Sequence, residues 1–254
     1  GQLVPPGDWK DYVDGDATPD DSDGHGTLVA RIIAAAWDGD GMAGVCPQCR
    51  ILPVRVTAGQ TFDVENLIRG IDWALSHGAQ VINISAGTDA WQQSSPLLRA
   101  TIQDARNQGI AIVTAAGNDG HRGISLPAIY PETIAVGAVD RYGDRASFSN
   151  QGSELDLTAP GVDVLTGDPD TGSGTSFSAP HVTGLVGLLL SGEPNLTPDQ
   201  LRERHAGERL REQLRHAARG CDGTHRTGQN GRHDQRALVA RGERAQRPEH
   251  AAVE

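Results

Sequence analysis

No stretch of the 254-residue chain approaches 18 consecutive apolar residues, so no segment reads as a helix able to cross a bilayer. No Gly-Lys-Ser or Gly-Lys-Thr step is present, which excludes the phosphate loop of nucleotide hydrolases. Gly39, Gly41 and Gly44 do match a dinucleotide fingerprint, but they precede a strand-like run instead of following one, so the match fails on context. Cysteine is scarce, with three residues in all. Cys46 and Cys49 form a lone CxxC, and no second CxxC or nearby His pair completes a zinc site. A local disulfide in an exported protein is therefore expected, with Cys221 left without an evident partner and no metal or cofactor called for. A signal segment is also lacking, and the chain starts at Gly1, as a mature or truncated chain would.

Positive charge is short in most of the chain. From Arg202 to Glu254 there are 12 arginines and 8 carboxylates, a net of +4, whereas residues 1–201 hold 10 basic and 25 acidic side chains, a net of −15. An acidic body repels phosphates and argues against a nucleic-acid partner. The Arg-rich tail lacks interleaved aromatics and mixes in Glu and Asp, so it makes a poor nucleic-acid arm.

What is present between residues 50 and 140 is an alternation of strand and helix patterns. "RILPVRV" (50–56) is a short β-rich run. "DVENLIRGIDWALSHG" (63–78) puts Val64, Leu67, Ile68, Ile71 and Leu75 on one helical face, with Asp63 to cap the start and Gly78 to end it. "AQVINIS" (79–85) is a nearly continuous apolar strand, and "SPLLRATIQDARNQG" (95–109) repeats the helix signals. "IAIVTAAGN" (110–118) and "ETIAVGAVD" (132–140) are further buried strands. Apolar strands separated by helices imply an α/β fold, a three-layer, doubly wound parallel sheet covered on both faces. Chemistry in such a sheet gathers at the carboxyl ends of the strands. The folded body is expected over 1–201. A helix continues from Leu201 to Leu214, and residues 220–254 carry no periodicity, as disordered chain would.

Four polar segments reach that rim: "DGHGT" (23–27), "NISAG" (83–87), "AAGND" (115–119) and "GSGTS" (172–176). "HGTxVA" opens one apolar helix at His25, and "GTSxxxPH" opens another at Ser176. These strings resemble the histidine and serine motifs of the subtilisin-like serine protease family. "AAGN" at 115–118 resembles its oxyanion segment, and "NISAG" its substrate-binding strand. "LPAIYPETIAVGAV" (126–139) resembles the stretch beside its specificity pocket, and all the matches fall in the family's chain order over roughly residues 20–200.

The resemblance implies a serine endopeptidase acting on a peptide or protein substrate. A hydroxyl is a poor nucleophile at neutral pH and needs a base to take its proton, which is the role implied for His25 beside Ser176. The Ser176 N–H at a helix N-terminus and the Asn118 carboxamide are the implied oxyanion donors. Ser85, Ala86 and Gly87 are expected to border an extended peptide, as in β-strand addition, and Ala115, Ala116 and Gly117 to floor the pocket for the residue before the cleaved bond. An extracellular or cell-envelope location follows by the same resemblance. "DSDGHGTLVA" (21–30) is similar to mycosins, subtilases associated with type VII secretion, which carry a C-terminal membrane helix not visible in this sequence.

Two departures stand out. The family's third catalytic member is a carboxylate in an Asp-Thr/Ser-Gly motif at the end of an apolar strand well before the His. Residues 1–24 hold Asp8, Asp11, Asp14, Asp16, Asp20, Asp21 and Asp23 in loop-like sequence, with no such motif, so the role is carried over to none of them. A chain beginning downstream of that strand would leave an interior slot in the sheet and an impaired enzyme, making a peptide-binding subtilase fold the competing expectation. The second departure is Arg31, where the family has a small residue; its long side chain needs a route to solvent.

Overall fold

The computed structural model describes residues 2–39, 41–58, 63–88, 95–121, 123–167, 170–206 and 236–241. Its backbone is a seven-stranded sheet with helices on both faces. The strands are β1 (Lys10–Asp11), β2 (Arg50–Arg55), β3 (Val81–Ser85), β4 (Ala111–Ala115), β5 (Ile134–Val139), β6 (Leu157–Pro160) and β9 (Arg236–Arg241), with a separate small hairpin of β7 (Val164–Leu165) and β8 (Thr171–Gly172). The helices are α1 (His25–Ala34), α2 (Val64–Ser76), α3 (Pro96–Asn107), α4 (Thr175–Gly192) and α5 (Pro198–Ala206).

Local chemistry accounts for the helix ends. The Asp63 carboxylate accepts from the Asn66 N–H at 3.0 Å and the Ser95 hydroxyl from the Leu98 N–H at 3.2 Å, meeting donors that a first helical turn leaves open. Gly78 and Gly109, with φ of 69° and 84°, follow the ends of α2 and α3 in the left-handed region that glycine adopts freely.

Strand alternation divides the core. On one face Val29 and Ile33 of α1 and Val182, Leu185 and Val186 of α4 pack on Val81, Val113 and Val136. On the other, Leu67 and Ile71 of α2 and Leu98 and Ile102 of α3 pack on Leu52, Ile82, Ile84 and Ile112. In β3 the odd positions 81, 83 and 85 therefore face α4, which places two polar residues, Asn83 and Ser85, in its path. Helix α4 comes close to the α1–β2 connection: a Cβ on Gly184 would lie 2.7 Å from Val45 Cβ. Cys46 and Cys49, both buried, form the disulfide expected from their spacing, with Gly187 of α4 set against it.

The empty interior slot and the patternless reading of residues 236–241 need correction. The sheet order is β1-β2-β9-β3-β4-β5-β6, and its pairs are parallel except for those of β9, which lies antiparallel to both neighbours. The interior slot between β2 and β3 is thus closed by Arg236–Arg241, within a stretch that sequence periodicity leaves structureless. "RALVAR" offers only four apolar residues between arginines, too short for a pattern, and its pairing is entirely long-range. The rest of the stretch beyond Ala206 lies outside the described residues. Arg31, by contrast, has the route to solvent that its length was expected to need: it is exposed, and its guanidinium reaches the Thr166 carbonyl at 3.5 Å. Among the described residues no helix is long and apolar enough to cross a membrane.

Candidate active site

β3 and β4 run parallel in register, Val81 beside Ala111 and Ile84 beside Thr114, so Ser85 and Ala115 finish at the same edge of the sheet. The segments that follow them, 86–88 and 116–118, form that edge. Helices α1 and α4 contribute their N-termini, His25 being the first residue of α1 and Ser176 the second of α4. Both side chains are buried, at 2% and 7% exposure.

Gly174 shows how closely the groups converge. A Cβ built on it would sit 3.1 Å from Ser176 Oγ, 3.5 Å from Asn118 Nδ2 and 3.7 Å from the Phe177 ring. The hydroxyl and the carboxamide therefore flank one small space that Gly174 leaves open. The Phe177 ring on the same side is tilted against the His25 imidazole, with centroids 5.4 Å apart.

The carboxamide is held by its oxygen. Asn118 Oδ1 accepts from the Thr175 backbone N–H at 2.8 Å and from the Thr175 hydroxyl at 2.9 Å, while the same hydroxyl accepts from the Gly117 N–H at 3.2 Å. Two donors on the oxygen fix the amide so that its NH₂ turns toward the Ser176 side. Thr175 is fully buried beneath Asn118, which is exposed. Sequence reasoning did not single out Thr175; its place in the "GTS" string was the signal available.

The residues expected to border a substrate lie along this edge, several of them already packed or paired within the fold. Ala86, Ala115 and Ala116 are buried, main chain included. Ala116 is already engaged: its N–H donates to the Val136 carbonyl at 2.9 Å, and its carbonyl accepts from the Ser125 N–H at 3.0 Å. Gly87 and Gly117 both back onto one residue, since a Cβ on Gly87 would lie 3.4 Å from Ser125 Cβ and one on Gly117 only 2.2 Å from Ser125 Oγ. Ser125, next to the quoted 126–139 stretch, thus lies between the two rim segments. The Ser85 side chain turns inward to the Ser176 carbonyl at 2.8 Å.

The N-terminal carboxylates have definite partners. Asp11 is fully buried, receives Arg55 at 2.7 Å and accepts from the Val13 and Asp14 N–H groups. Asp21 accepts from the Thr27 N–H and hydroxyl, and Asp23 from the His25 N–H at 3.1 Å, both at the N-terminus of α1, where negative charge is favoured. A cavity of about 450 Å³ opens beside α1, lined among others by Trp9, Thr27, Ala30, Arg31 and Ile51. Ser176 and Asn118 do not line it, and a rim that holds an extended peptide by main-chain pairing needs no deep cavity.

Comparison with known proteins agrees with this architecture. Residues 6–237 match the Subtilase family. Subtilisin DY of Bacillus licheniformis is 39% identical over 202 residues, covering 76% of this chain and 73% of that protein. A thermostable alkaline protease of Halalkalibacterium halodurans is 38% identical over 198 residues, 76% of this chain and 54% of the relative. Against that relative, and against Subtilisin E of Bacillus subtilis, the chain spans about half the partner's length. The crystal structure of a cold adapted subtilisin-like serine proteinase superposes with a TM-score of 0.71 at 33% identity, covering 81% of this chain and 74% of that one. With a family match across nearly all of its length, a relative 39% identical over most of both chains and a solved structure superposing at a TM-score of 0.71, the chain belongs to the subtilase family.

Proposed function

We propose that the chain is a serine endopeptidase, and that Ser176, His25 and Asn118 carry its chemistry. The Ser176 hydroxyl attacks the carbonyl of a peptide bond, His25 takes the hydroxyl proton and returns it to the leaving amine, and a covalent acyl-enzyme is then opened by water. Charge developing on the carbonyl oxygen is met by the Ser176 N–H, open at the start of α4, and by the Asn118 amide. The main chain of Ala86 and Gly87, opposite that of Ala115 and Gly117, holds the substrate extended across the rim. The location implied by the family resemblance is extracellular or at the cell envelope.

The observation that carries this reading is the space at Gly174, bounded at 3.1 Å by Ser176 Oγ and at 3.5 Å by Asn118 Nδ2. A nucleophile and an oxyanion donor must share such a point, and a side chain there would fill it.

Incubation with a fluorophosphonate probe, followed by peptide mapping, tests it. Ser176 is expected to carry the label, and Ser176→Ala to remove it; labelling that persists in the variant sinks the reading. Peptides that are bound and recovered intact, with no labelling, would instead identify a binding protein built on the same fold.

A further inference from the structure

We infer that Ser85 is a positioning residue for Ser176, acting on the backbone carbonyl of the nucleophile itself, and that Asn83 and Thr183 hold Ser85 in that role. The inference rests on the reading of Ser176 as nucleophile.

The reason lies in helix α4. In an α-helix the carbonyl of residue i accepts from the N–H of residue i+4. For Ser176 that residue is Pro180, which lies inside the helix and has no N–H. The Ser176 carbonyl therefore loses its helical donor at the one turn that carries the reacting hydroxyl. The donor comes instead from outside the helix: the Ser85 hydroxyl, at the end of β3, reaches the Ser176 carbonyl at 2.8 Å.

Ser85 is itself oriented. With its proton committed to Ser176, its oxygen accepts from Asn83 Nδ2 at 2.9 Å, and Asn83 Oδ1 in turn accepts from the Thr183 hydroxyl at 2.8 Å. Ser85, Asn83 and Thr183 are all essentially without solvent exposure. The chain of donors runs one way, Thr183 to Asn83 to Ser85 to the Ser176 carbonyl, and begins and ends on α4. Periodicity allows this closure. Residues 176 and 183 are seven apart, on one face of the helix, and residues 83 and 85 are two apart, on the strand face that meets it. Reversing the Asn83 amide would turn the Ser85 proton toward Asn83 and strand the Ser176 carbonyl, so the proline fixes the sense of the whole chain. Released from Asn83, the Thr183 hydroxyl has a fallback in the Ala179 carbonyl, already at 3.1 Å.

Ser85 thus has two faces: its main chain borders the proposed peptide rim, and its side chain holds the turn that carries the nucleophile. Substrate contact and nucleophile position meet in a single residue.

The test separates the covalent step from binding by measuring fluorophosphonate labelling of Ser176 at several probe concentrations in the full chain. Ser85→Ala is expected to slow the covalent step about tenfold, the size of a lost interaction of about 1.4 kcal/mol, with probe affinity changed less than about twofold. Thr183→Val, which keeps the shape and removes the hydroxyl, is expected to slow it about threefold, and Thr183→Ser to restore it. Pro180→Ala returns an N–H to the helix, so in that background Ser85→Ala should cost little. An unchanged covalent step in Ser85→Ala and Thr183→Val, or an equal Ser85→Ala loss with and without Pro180, overturns the inference. Complete absence of labelling in the unmodified chain overturns the nucleophile reading and the positioning role with it. The Ser85–Ser176 bond is then judged by a thermal-unfolding cycle of Ser85→Ala and Pro180→Ala, where strict additivity rejects it.

Discussion

The hydroxyl of Thr175 sits between the Asn118 side-chain oxygen, to which it donates at 2.9 Å, and the Gly117 N–H, from which it accepts at 3.2 Å. One buried side chain therefore sets both the carboxamide and the peptide unit before it. Removing the hydroxyl while keeping the shape, in Thr175→Val, leaves the Asn118 oxygen with the Thr175 N–H as its remaining donor, loosens the amide and is expected to lower the acylation rate about tenfold, the worth of about one hydrogen bond. Thr175→Ser should retain most of the rate. Asn118→Ala removes the donor itself, and the loss should be larger, about 10²–10³, the range measured for such a donor in a subtilisin. Burst kinetics with an ester substrate would check the order of the three effects; Thr175→Val at the unmodified rate would refute the coupling.

Gly174 is predicted to tolerate no side chain. An alanine there would put its methyl 3.1 Å from Ser176 Oγ and 3.5 Å from Asn118 Nδ2, at a backbone φ of 156°. Displacing either group by a fraction of an ångström undoes the alignment, and a misplacement of about 1 Å can cost about 10²-fold. Gly174→Ala should therefore fold, as judged by its unfolding temperature, while losing at least an order of magnitude in labelling of Ser176. Undiminished labelling would mean that the space is not used.

Helix α4 also carries a titratable group. Desolvation pushes the His181 imidazole below its ordinary value of 6.5, opposed in part by its bond to the Phe177 carbonyl at 2.8 Å. The folded chain thus binds this proton less tightly than the unfolded chain does. Unfolding takes up a proton once the pH falls below about 6.5, so the contribution is intact above that value and lost below it. The difference in unfolding temperature between pH 7.5 and pH 5 should narrow in His181→Gln; an unchanged difference would remove His181 from the account.

Packing beneath the disulfide gives a stability prediction. A methyl on Gly187 would lie 2.5 Å from Cys49 Sγ and 3.4 Å from Cys46 Sγ, and both cysteines are buried. Gly187→Ala is expected to destabilise by about 1–3 kcal/mol through overpacking. The cost should shrink when both cysteines are replaced by alanine, because the clashing sulfurs are gone. Denaturant titration of the single and combined variants checks this, and equal costs in both backgrounds would reject it.

Much of this protein is legible in its amino-acid sequence. Helices α2 and α3, the cap of α2 at Asp63, strands β2 to β5 and the Cys46–Cys49 pair all depend on neighbours within a few residues, so periodicity and spacing reveal them. The motif strings likewise placed His25 and Ser176 at helix starts and Asn118 just past β4, and the fold sets Ser176 and Asn118 around Gly174. Three features were decided only by tertiary structure. Thr175 meets Asn118 across 57 positions and Ser85 meets Ser176 across 91, and no local pattern marks such a pairing. The strand Arg236–Arg241, six residues in an arginine-rich stretch, becomes a strand because two apolar neighbours, β2 and β3, leave a row of backbone donors and acceptors to be met. Propensity and period belong to the chain; the partner of a buried polar group belongs to the packed molecule.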